Sequence, residues 1–381
     1  MKPKIAYTST ATFVMAMLMF VVVAPVMQNA AATSTTQSID CASRFTPSEY
    51  QTIQSMDKTK ARSLSDSNNQ LQSMIKGHNS EYSSIFTEWS WNPTDCSDLT
   101  LNNVNIVYTL NDNNGKYLRH VIVTLDPSLD KVLNVAEQNA NVTHTAPTTN
   151  WSAYELAGDS SASTEIQEAT DSWTMPTVSS PSGKNCATNV CSAAFWVGIE
   201  KGTGGVKMVQ AGTDQNVTCT GCGSNDYVWY EAINDKTVYC TGYSYHHGNS
   251  VFSDITNEDR TSMANQGKYD FTIADNTQGV QCTGTIDYSG TMLTGNYGIF
   301  AVERPTYSTG MAYLTQFTNN TSMGTGWMYY SSASHKITTS GVISVNDVMK
   351  NPYPSFTNLN ADTSSISNGA FNQNYHNSNG E

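Results

Sequence analysis

The residues best suited to catalysis are a glutamine and a glutamate in two separate strand-like segments. Gln210 lies in FWVGIEKGTGGVKMVQAGTD, and Glu303 lies in IFAVERP. A carboxylate can take a proton from water, and an amide N–H can donate a hydrogen bond to an oxyanion. If the fold brings them together, the two side chains could hydrolyse a peptide bond without a metal, a serine or a cysteine. The elements that position them therefore decide the function.

The N-terminus carries the features of an export signal. Lys2 and Lys4 precede an apolar run at residues 13–27, and alanines follow at positions 30–32. This order is typical of a secretory signal peptide, here residues 1–32. An uncleaved membrane anchor is the alternative, but the run is short for a spanning helix and contains Pro25. We expect a secreted, extracellular protein with no stable membrane association after signal cleavage.

The composition is poor in charged residues and acidic in balance. Charged residues make up 13% of the chain, and the formal net charge is −13 at pH 7. Nucleic-acid binding needs a basic surface, so we exclude it. Acid denaturation acts largely by protonating stabilised carboxylates, and a surface of neutral polar groups has few of them. The composition therefore predicts a protein that works in an acidic exterior.

The cysteine count is even, which favours disulfides in an exported chain. Cys41 and Cys96 lie apart from the rest and are expected to pair, and Cys186 and Cys191 could close a small loop. The remaining four allow three connectivities or, as an alternative, a four-thiolate zinc site; they are Cys219, Cys222, Cys240 and Cys282.

Beyond the signal, the chain divides into three regions. Residues 33–147 begin with a predicted helix over 46–75 and continue with a hairpin around NDNNGK, and their polar end resembles a linker. Residues 148–357 contain many short alternating strands, which predict an all-β sandwich or barrel. Residues 358–381 are rich in Asn and Ser and are expected to be loosely ordered. The clearest strands are VKMVQAG, DYVWYEAI, KTVYC, KYDFTIAD, GTIDYSG and YGIFAVE.

Six motifs occur in an order that resembles the glutamic peptidases, or eqolisins. They are NWSAYEL, SWTMP, FWVGIE, VQAGTD, VWYEA and AVERP, between Asn150 and Pro305. Members of that family are secreted, acid-active endopeptidases that have a concanavalin-like double-sheet β-sandwich and an N-terminal propeptide. The resemblance implies this fold for residues 148–357 and a small α+β propeptide at residues 33–147. It also implies a monomer that acts on polypeptide substrates, with no cofactor and no metal.

The resemblance assigns catalytic roles to the glutamine and the glutamate. Gln210 matches the catalytic glutamine of the family, and Glu303 matches its catalytic glutamate. In the implied mechanism, ionised Glu303 takes a proton from a water molecule that attacks the scissile carbonyl, and the Gln210 amide donates to the oxyanion. Glutamine suits acidic conditions because it donates without titrating.

Five further residues are expected to support the site. Trp151 and Trp196 match tryptophans that border the substrate cleft of the family. Glu231 and Asp214 are expected to support the site through hydrogen bonds. Glu200 stands where the family usually has aspartate, and this difference bears on substrate preference.

The N-terminal region and the whole sandwich allow other hypotheses. As a propeptide, residues 33–147 would cover the cleft at neutral pH and leave in acid. Among other functions, a sandwich of this type could be a non-catalytic carbohydrate- or protein-binding module. It could also be a glycoside hydrolase that uses Glu231 and Glu303 as its carboxylate pair.

Overall fold

A computed structural model of the chain describes most of residues 41–317 and short segments beyond. The described residues are 41–42, 45, 56–139, 142–143, 151–157, 166–188, 190–200, 208–219, 223–232, 237–243, 245–257, 268–287, 297–307, 310–317, 321–323, 327–330, 336–338, 345–347, 349–350, 359–363 and 371–375. The predicted signal peptide lies outside them, and so do residues 46–55, the first part of the predicted helix. No helix within the described ranges is long and apolar enough to span a bilayer.

Two short helices open the N-terminal region, where the sequence predicts one. Helix α1 spans Lys58–Asp66 and α2 spans Asn69–Ile75. The Asn68 side chain accepts hydrogen bonds from the backbone N–H groups of Gln70 and Leu71, at 2.9 and 3.0 Å. An asparagine in this position caps the start of a helix, so a second helix begins here and the first does not continue.

Four antiparallel strands follow the helices. They are β1 (Asn79–Ser90), β2 (Thr100–Asn111), β3 (Tyr117–Leu125) and β4 (Val132–Gln138). The predicted hairpin is confirmed by the pairing of β2 with β3. Both helices pack on one face of this sheet, where Ala61 and Leu71 join a buried cluster with strand residues such as Val121. We call the described residues 41–139 the N-terminal module.

The remainder of the described chain is almost entirely β-structure. Its longer strands are β6 (Trp151–Ala157), β7 (Ile166–Thr174), β9 (Cys191–Glu200), β10 (Met208–Val217), β11 (Ser224–Ala232), β13 (Ser250–Asn257), β14 (Lys268–Asp275), β15 (Val280–Asp287) and β16 (Tyr297–Glu303). Its shorter strands are β5 (Val142–Thr143), β8 (Val178–Ser179), β12 (Val238–Tyr239), β17 (Thr306–Tyr307), β18 (Gly310–Met311), β19 (Tyr313–Leu314), β20 (Gln316–Phe317), β21 (Thr321–Met323), β22 (Trp327–Tyr330), β23 (Lys336–Thr338), β24 (Val345–Asp347), β25 (Met349–Lys350), β26 (Leu359–Thr363) and β27 (Phe371–Tyr375).

Most of these strands form two large sheets, whereas β5, β17 and β18 form a small three-stranded sheet and β8 pairs with β20. The site sheet has the order β12-β11-β10-β9-β16-β6-β24, and β19 also pairs with β9. The second sheet has the order β25-β26-β27-β21-β7-β13-β14-β15-β1-β2-β3-β4, with β22 and β23 attached through β7. The strands of the N-terminal module are therefore part of the second sheet.

The two sheets stack face to face around one apolar core. Phe195 and Val209 of the site sheet share a buried cluster with Trp173, Val251 and Phe271 of the second sheet. This arrangement confirms the predicted β-sandwich. Alternation along each strand turns the other half of the site-sheet residues to the opposite face, and that face carries the candidate site.

The disulfides agree with the sequence prediction and close one alternative. Cys41 pairs with Cys96, and Cys186 pairs with Cys191, as expected. Cys240 and Cys282 also form a disulfide, which joins the β12 edge of the site sheet to β15 of the second sheet. Cysteines in a disulfide are not thiolates, so the four-thiolate zinc alternative is wrong.

Two short strands lie within the C-terminal tail, residues 358–381. Strands β26 and β27 lie within it and pair with each other, and β27 also pairs with β21. A sheet edge can recruit a polar segment through backbone hydrogen bonds alone, so a strand can form there without an apolar pattern.

Candidate active site

The register of the site sheet gathers the predicted residues on one face. In adjacent rows of this face lie Gln210 opposite Gly198, Gly212 opposite Trp196, and Asp214 opposite Ala194. Glu303 lies opposite Ala194 from the other side, and Glu231 lies opposite Gln210. Because side chains alternate along a strand, residues two apart share a face. We call this surface the site face.

Glu303 ends strand β16 and is held by a tryptophan. The Trp196 indole Nε1–H donates to Glu303 Oε2 at 2.9 Å, and both residues are fully buried. A hydrogen bond from a neutral donor to a carboxylate favours the ionised form. The carboxylate is therefore fixed in orientation by a residue that the sequence analysis expected only to border the cleft.

Gln210 and Glu231 face each other on neighbouring strands. They are register partners in the antiparallel pair of β10 and β11, and both are buried. Directly opposite side chains in such a pair have Cβ atoms about 5 Å apart. Glu231 Oε2 accepts a hydrogen bond from Thr237 Oγ1 at 2.6 Å. The supporting position predicted for Glu231 thus lies next to the amide.

Gln210 and Glu303 lie on a diagonal across the site face. They are separated by strand β9 and by four residues along the strand direction. In a flat sheet this separates their Cα atoms by roughly 16 Å, and the twist of the sheet changes that value. Trp196 lies between the two rows. Both side chains belong to the site face, and both are buried.

Asp214 lies in the row of Glu303 and has partners that sequence reasoning missed. Its carboxylate accepts a short hydrogen bond from Ser192 Oγ and another from the Tyr307 hydroxyl at 3.4 Å. The same hydroxyl lies 3.0 Å from Asn216 Oδ1. Alternation along β9 could have indicated Ser192, because it lies two residues from Ala194 on the same face. Tyr307 lies after the strand that ends in Glu303, and no such pattern indicates it.

Two partly buried tyrosines lie near this carboxylate. Burial raises the pKa of the Tyr239 hydroxyl well above its usual range, and the nearby Asp214 adds to the effect. Burial also raises the pKa of Tyr307, with Asp214 again the next cause. Both hydroxyls therefore stay protonated and remain available as hydrogen-bond donors at any pH at which a carboxylate titrates.

Two glycines make room on the site face. A Cβ atom at Gly212 would lie 2.1 Å from the Phe195 backbone oxygen and 2.5 Å from Trp196 Cβ. A Cβ at Gly198 would lie 3.1 Å from the Trp196 ring and 3.3 Å from Gln210 Cβ. Glycine at these positions lets the indole lie across the sheet between the two rows.

The last two predicted residues lie at the margins of the described site. Trp151 begins strand β6 and pairs with Glu303, but its side chain is outside the described residues. Glu200 ends strand β9, opposite Met208 and Tyr297, and is buried. It lies on the site face at the end remote from Glu303, two residues beyond the row of Gln210.

The fold and the site define a double-sheet β-protein with a carboxylate, an amide and tryptophans on one buried face. A model of the Peptidase A4 family matches residues 149–368, which is more than half of the chain. The chain therefore belongs to the Peptidase A4 family, the glutamic peptidases, and is a glutamic endopeptidase that acts on polypeptides. The predicted family resemblance is confirmed.

Several solved structures are similar to this chain. Scytalido-glutamic peptidase with a transition state analog inhibitor is 17% identical, with a TM-score of 0.44, and covers 60% of this chain and 98% of its own. SCP-B, an eqolisin in a complex with the tripeptide Ala-Ile-His, is 17% identical, with a TM-score of 0.43 and the same coverage. Aspergilloglutamic peptidase from Aspergillus niger is 17% identical, with a TM-score of 0.37, covering 49% and 99%. No curated protein matches the chain.

Proposed function

We propose that the chain is a secreted, acid-active endopeptidase in which Glu303 is the general base and Gln210 stabilises the oxyanion. The observation that carries the proposal is the shared face: both side chains are buried on one side of the site sheet, and Trp196 orients the Glu303 carboxylate. A sheet face fixes its side chains more rigidly than a loop does, as catalytic groups require.

The mechanism follows from the roles of the two groups. Ionised Glu303 takes a proton from water as the oxygen attacks the scissile carbonyl carbon. The Gln210 amide N–H donates to the carbonyl oxygen as it becomes an oxyanion. When the C–N bond breaks, protonated Glu303 returns the proton to the leaving amine. The water molecule supplies the hydroxyl of the new carboxyl group and the proton on the leaving amine, and Glu303 ends the cycle ionised.

The supporting residues act through these two. Thr237 holds the Glu231 carboxylate, which lies opposite Gln210 on the next strand. In the proposed arrangement this carboxylate accepts from one N–H of the Gln210 amide and leaves the other N–H for the substrate. Asp214, held by Ser192 and Tyr307, keeps a second carboxylate in the row of Glu303. Trp151 and Trp196 would border the bound peptide.

The arrangement favours the peptidase assignment over the glycoside hydrolase alternative. Glu231 and Glu303 are three strands and four residues apart on the sheet, one strand farther than Gln210 and Glu303. Thr237 also holds the Glu231 carboxylate beside Gln210, which suits a supporting role better than that of a second catalytic carboxylate.

The test is cleavage of a denatured protein between about pH 2 and pH 5, the range around a free carboxyl pKa. Pepstatin and a chelator are expected to have no effect. Glu303→Gln removes the base and should lower kcat about 100- to 10,000-fold. Gln210→Ala removes an oxyanion donor and should lower kcat about 100- to 1,000-fold. The secreted product, sequenced from its N-terminus, tests export.

Matched controls use the same substitutions at exposed positions. Glu81→Gln on strand β1 and Gln72→Ala on helix α2 should retain wild-type activity, because both side chains lie at the surface of the N-terminal module. Substantial proteolysis by Glu303→Gln would refute the base assignment. Absence of proteolysis by the wild type, with retention on a carbohydrate or protein column, would favour the non-catalytic binding module.

A further inference from the structure

The N-terminal module continues the second sheet of the sandwich through its first strand. Strand β1 pairs with β15 over seven residues, from Ser84 opposite Ile286 to Ser90 opposite Val280. The Trp91 backbone N–H extends the contact by donating to the Gly279 carbonyl at 2.8 Å. Without the module, β15 would present a row of open backbone groups at an edge.

The module also contributes side chains to the core of the sandwich. Phe86, Val107 and Ile122 belong to the same buried cluster as the residues packed between the two sheets. The Phe86 ring meets Tyr230 of the site sheet edge to face, with ring centroids 5.9 Å apart. The Ser84 and Tyr230 hydroxyls lie 2.7 Å apart. Removing the module would expose this apolar surface.

A buried carboxylate of the module organises a turn of the sandwich. Glu88 is 1% exposed. Its Oε1 accepts from the backbone N–H groups of Gly242 at 2.6 Å and Thr241 at 3.2 Å, and its Oε2 accepts from Asn103 Nδ2 at 3.0 Å. A Cβ at Gly242 would lie 2.5 Å from Oε2. The turn after Cys240 is therefore built around a side chain that only the module supplies.

A second contact lies at the far end of the module. Gln138 Nε2 donates to the Tyr239 carbonyl, and the Tyr239 N–H donates to Gln138 Oε1, each at 2.9 Å. Tyr239 pairs with Trp229 on the strand that also carries Glu231. The module thus holds the edge of the site sheet from β1 and from β4.

We propose that the N-terminal module is a permanent subunit of the mature protein, which stays bound after any cut between it and the sandwich. This differs from the expected propeptide that leaves in acid, and it does not depend on the peptidase chemistry. The module's two cysteines pair with each other, so the association is non-covalent. Among the described residues, the groups at the contact that titrate in acid are Glu88, His120 and Glu231. Tyr230, Tyr239 and Tyr243 also lie there, and Lys58, Arg62 and Asp66 line a pocket with Thr285 of β15. The strand pairing and the apolar packing do not titrate, so they hold the module in acid.

The experiment cuts the full chain and asks whether the pieces separate. A recognition sequence for a specific protease is placed within residues 144–149, in the Glu303→Gln background so that self-digestion does not interfere. The cut protein is examined by size-exclusion chromatography with light scattering at about pH 7 and about pH 3.5, above and below a free carboxyl pKa. We expect one peak of intact mass and two bands on a non-reducing denaturing gel.

Variants connect the result to the named contacts. Phe86→Ala with Glu88→Gln should release the module from most of the cut protein, while Glu81→Gln, on β1 before its pairing with β15, should release none. If the module elutes separately from the cut parent at either pH, with the larger fragment still folded, the proposal is overturned. Co-elution of the cut double variant would overturn the assignment to these contacts. The parent result stands even if the double variant does not fold.

Discussion

Replacing Trp196 with phenylalanine tests the link between the site face and the chemistry. The substitution keeps an aromatic ring but removes the Nε1–H that donates to Glu303 Oε2 at 2.9 Å. Both residues are fully buried, so bulk water cannot readily replace the lost donor. The ionised carboxyl loses a stabilising partner, and the neutral acid becomes relatively more favourable.

The size of the effect follows from the strength of that hydrogen bond. A hydrogen bond to a charged group contributes about 1.5 to 3 kcal/mol. If all of it favours ionised Glu303, the acid limb of the kcat/KM profile should move up by about one to two pH units. On the acid side of the limb, kcat/KM should fall about 10- to 150-fold. At higher pH, where the carboxyl ionises in both proteins, the loss should be much smaller.

The assay is kcat/KM on a fluorogenic peptide at closely spaced pH values, with thermal unfolding measured on the same samples. The matched control is Trp173→Phe, because Trp173 is also a buried tryptophan but lies in the core on strand β7 of the second sheet. It should change stability and leave the pH profile in place. An equal loss at every pH, with the acid limb unmoved in Trp196→Phe, would refute the proposed role of the indole.

Three further predictions concern the framework. Asp171→Asn should flatten the dependence of unfolding temperature on pH. Burial raises the Asp171 pKa well above its usual range, so the stability that Asp171 contributes is present in acid and is lost as pH rises through that pKa. An unchanged curve would count against this role of Asp171. Gly212→Ala should displace Trp196 and lower activity and stability together, since the new Cβ would lie 2.1 Å from a backbone oxygen; wild-type kcat would contradict this. Replacing Cys240 and Cys282 with alanine should lower the free energy of unfolding, measured in urea, by up to about 4 kcal/mol, because the disulfide closes a loop of 42 residues. A loss near zero would show that the two sheets do not need this disulfide.

Much of the sandwich could be predicted from alternation and turns. The segment YGIFAVE forms β16 as expected, and the disulfides predicted between Cys41 and Cys96 and between Cys186 and Cys191 are confirmed. These features depend on nearby residues. Five of the six family motifs lie on different strands of the site sheet, and SWTMP lies at the end of β7 in the second sheet.

Other features depend on long-range pairing, which leaves little trace in a single sequence. The pairing of β1 with β15 joins segments far apart in the chain, and nothing in either segment specifies the other. The same holds for Tyr307, whose hydroxyl meets Asp214 only because β10 and β16 lie in one sheet. Periodicity predicts which face a side chain takes within its strand, but register decides which residue it meets.

The fold gives a second reason, besides composition, to expect stability in acid. Burial disfavours the ionised form of a carboxyl group, and it raises the pKa values of the buried Asp171 and Asp275 and of the half-buried Asp226. Each of them favours the folded state in acid and opposes it as pH rises. The turn aspartates Asp112 and Asp126, which are more accessible to solvent, act in the other direction because hydrogen bonds lower their pKa values. Solvent and salt screen exposed groups more than buried ones, so the buried set should dominate. A surface with few carboxylates loses little stability in acid, and the buried carboxyl groups should favour the folded state there.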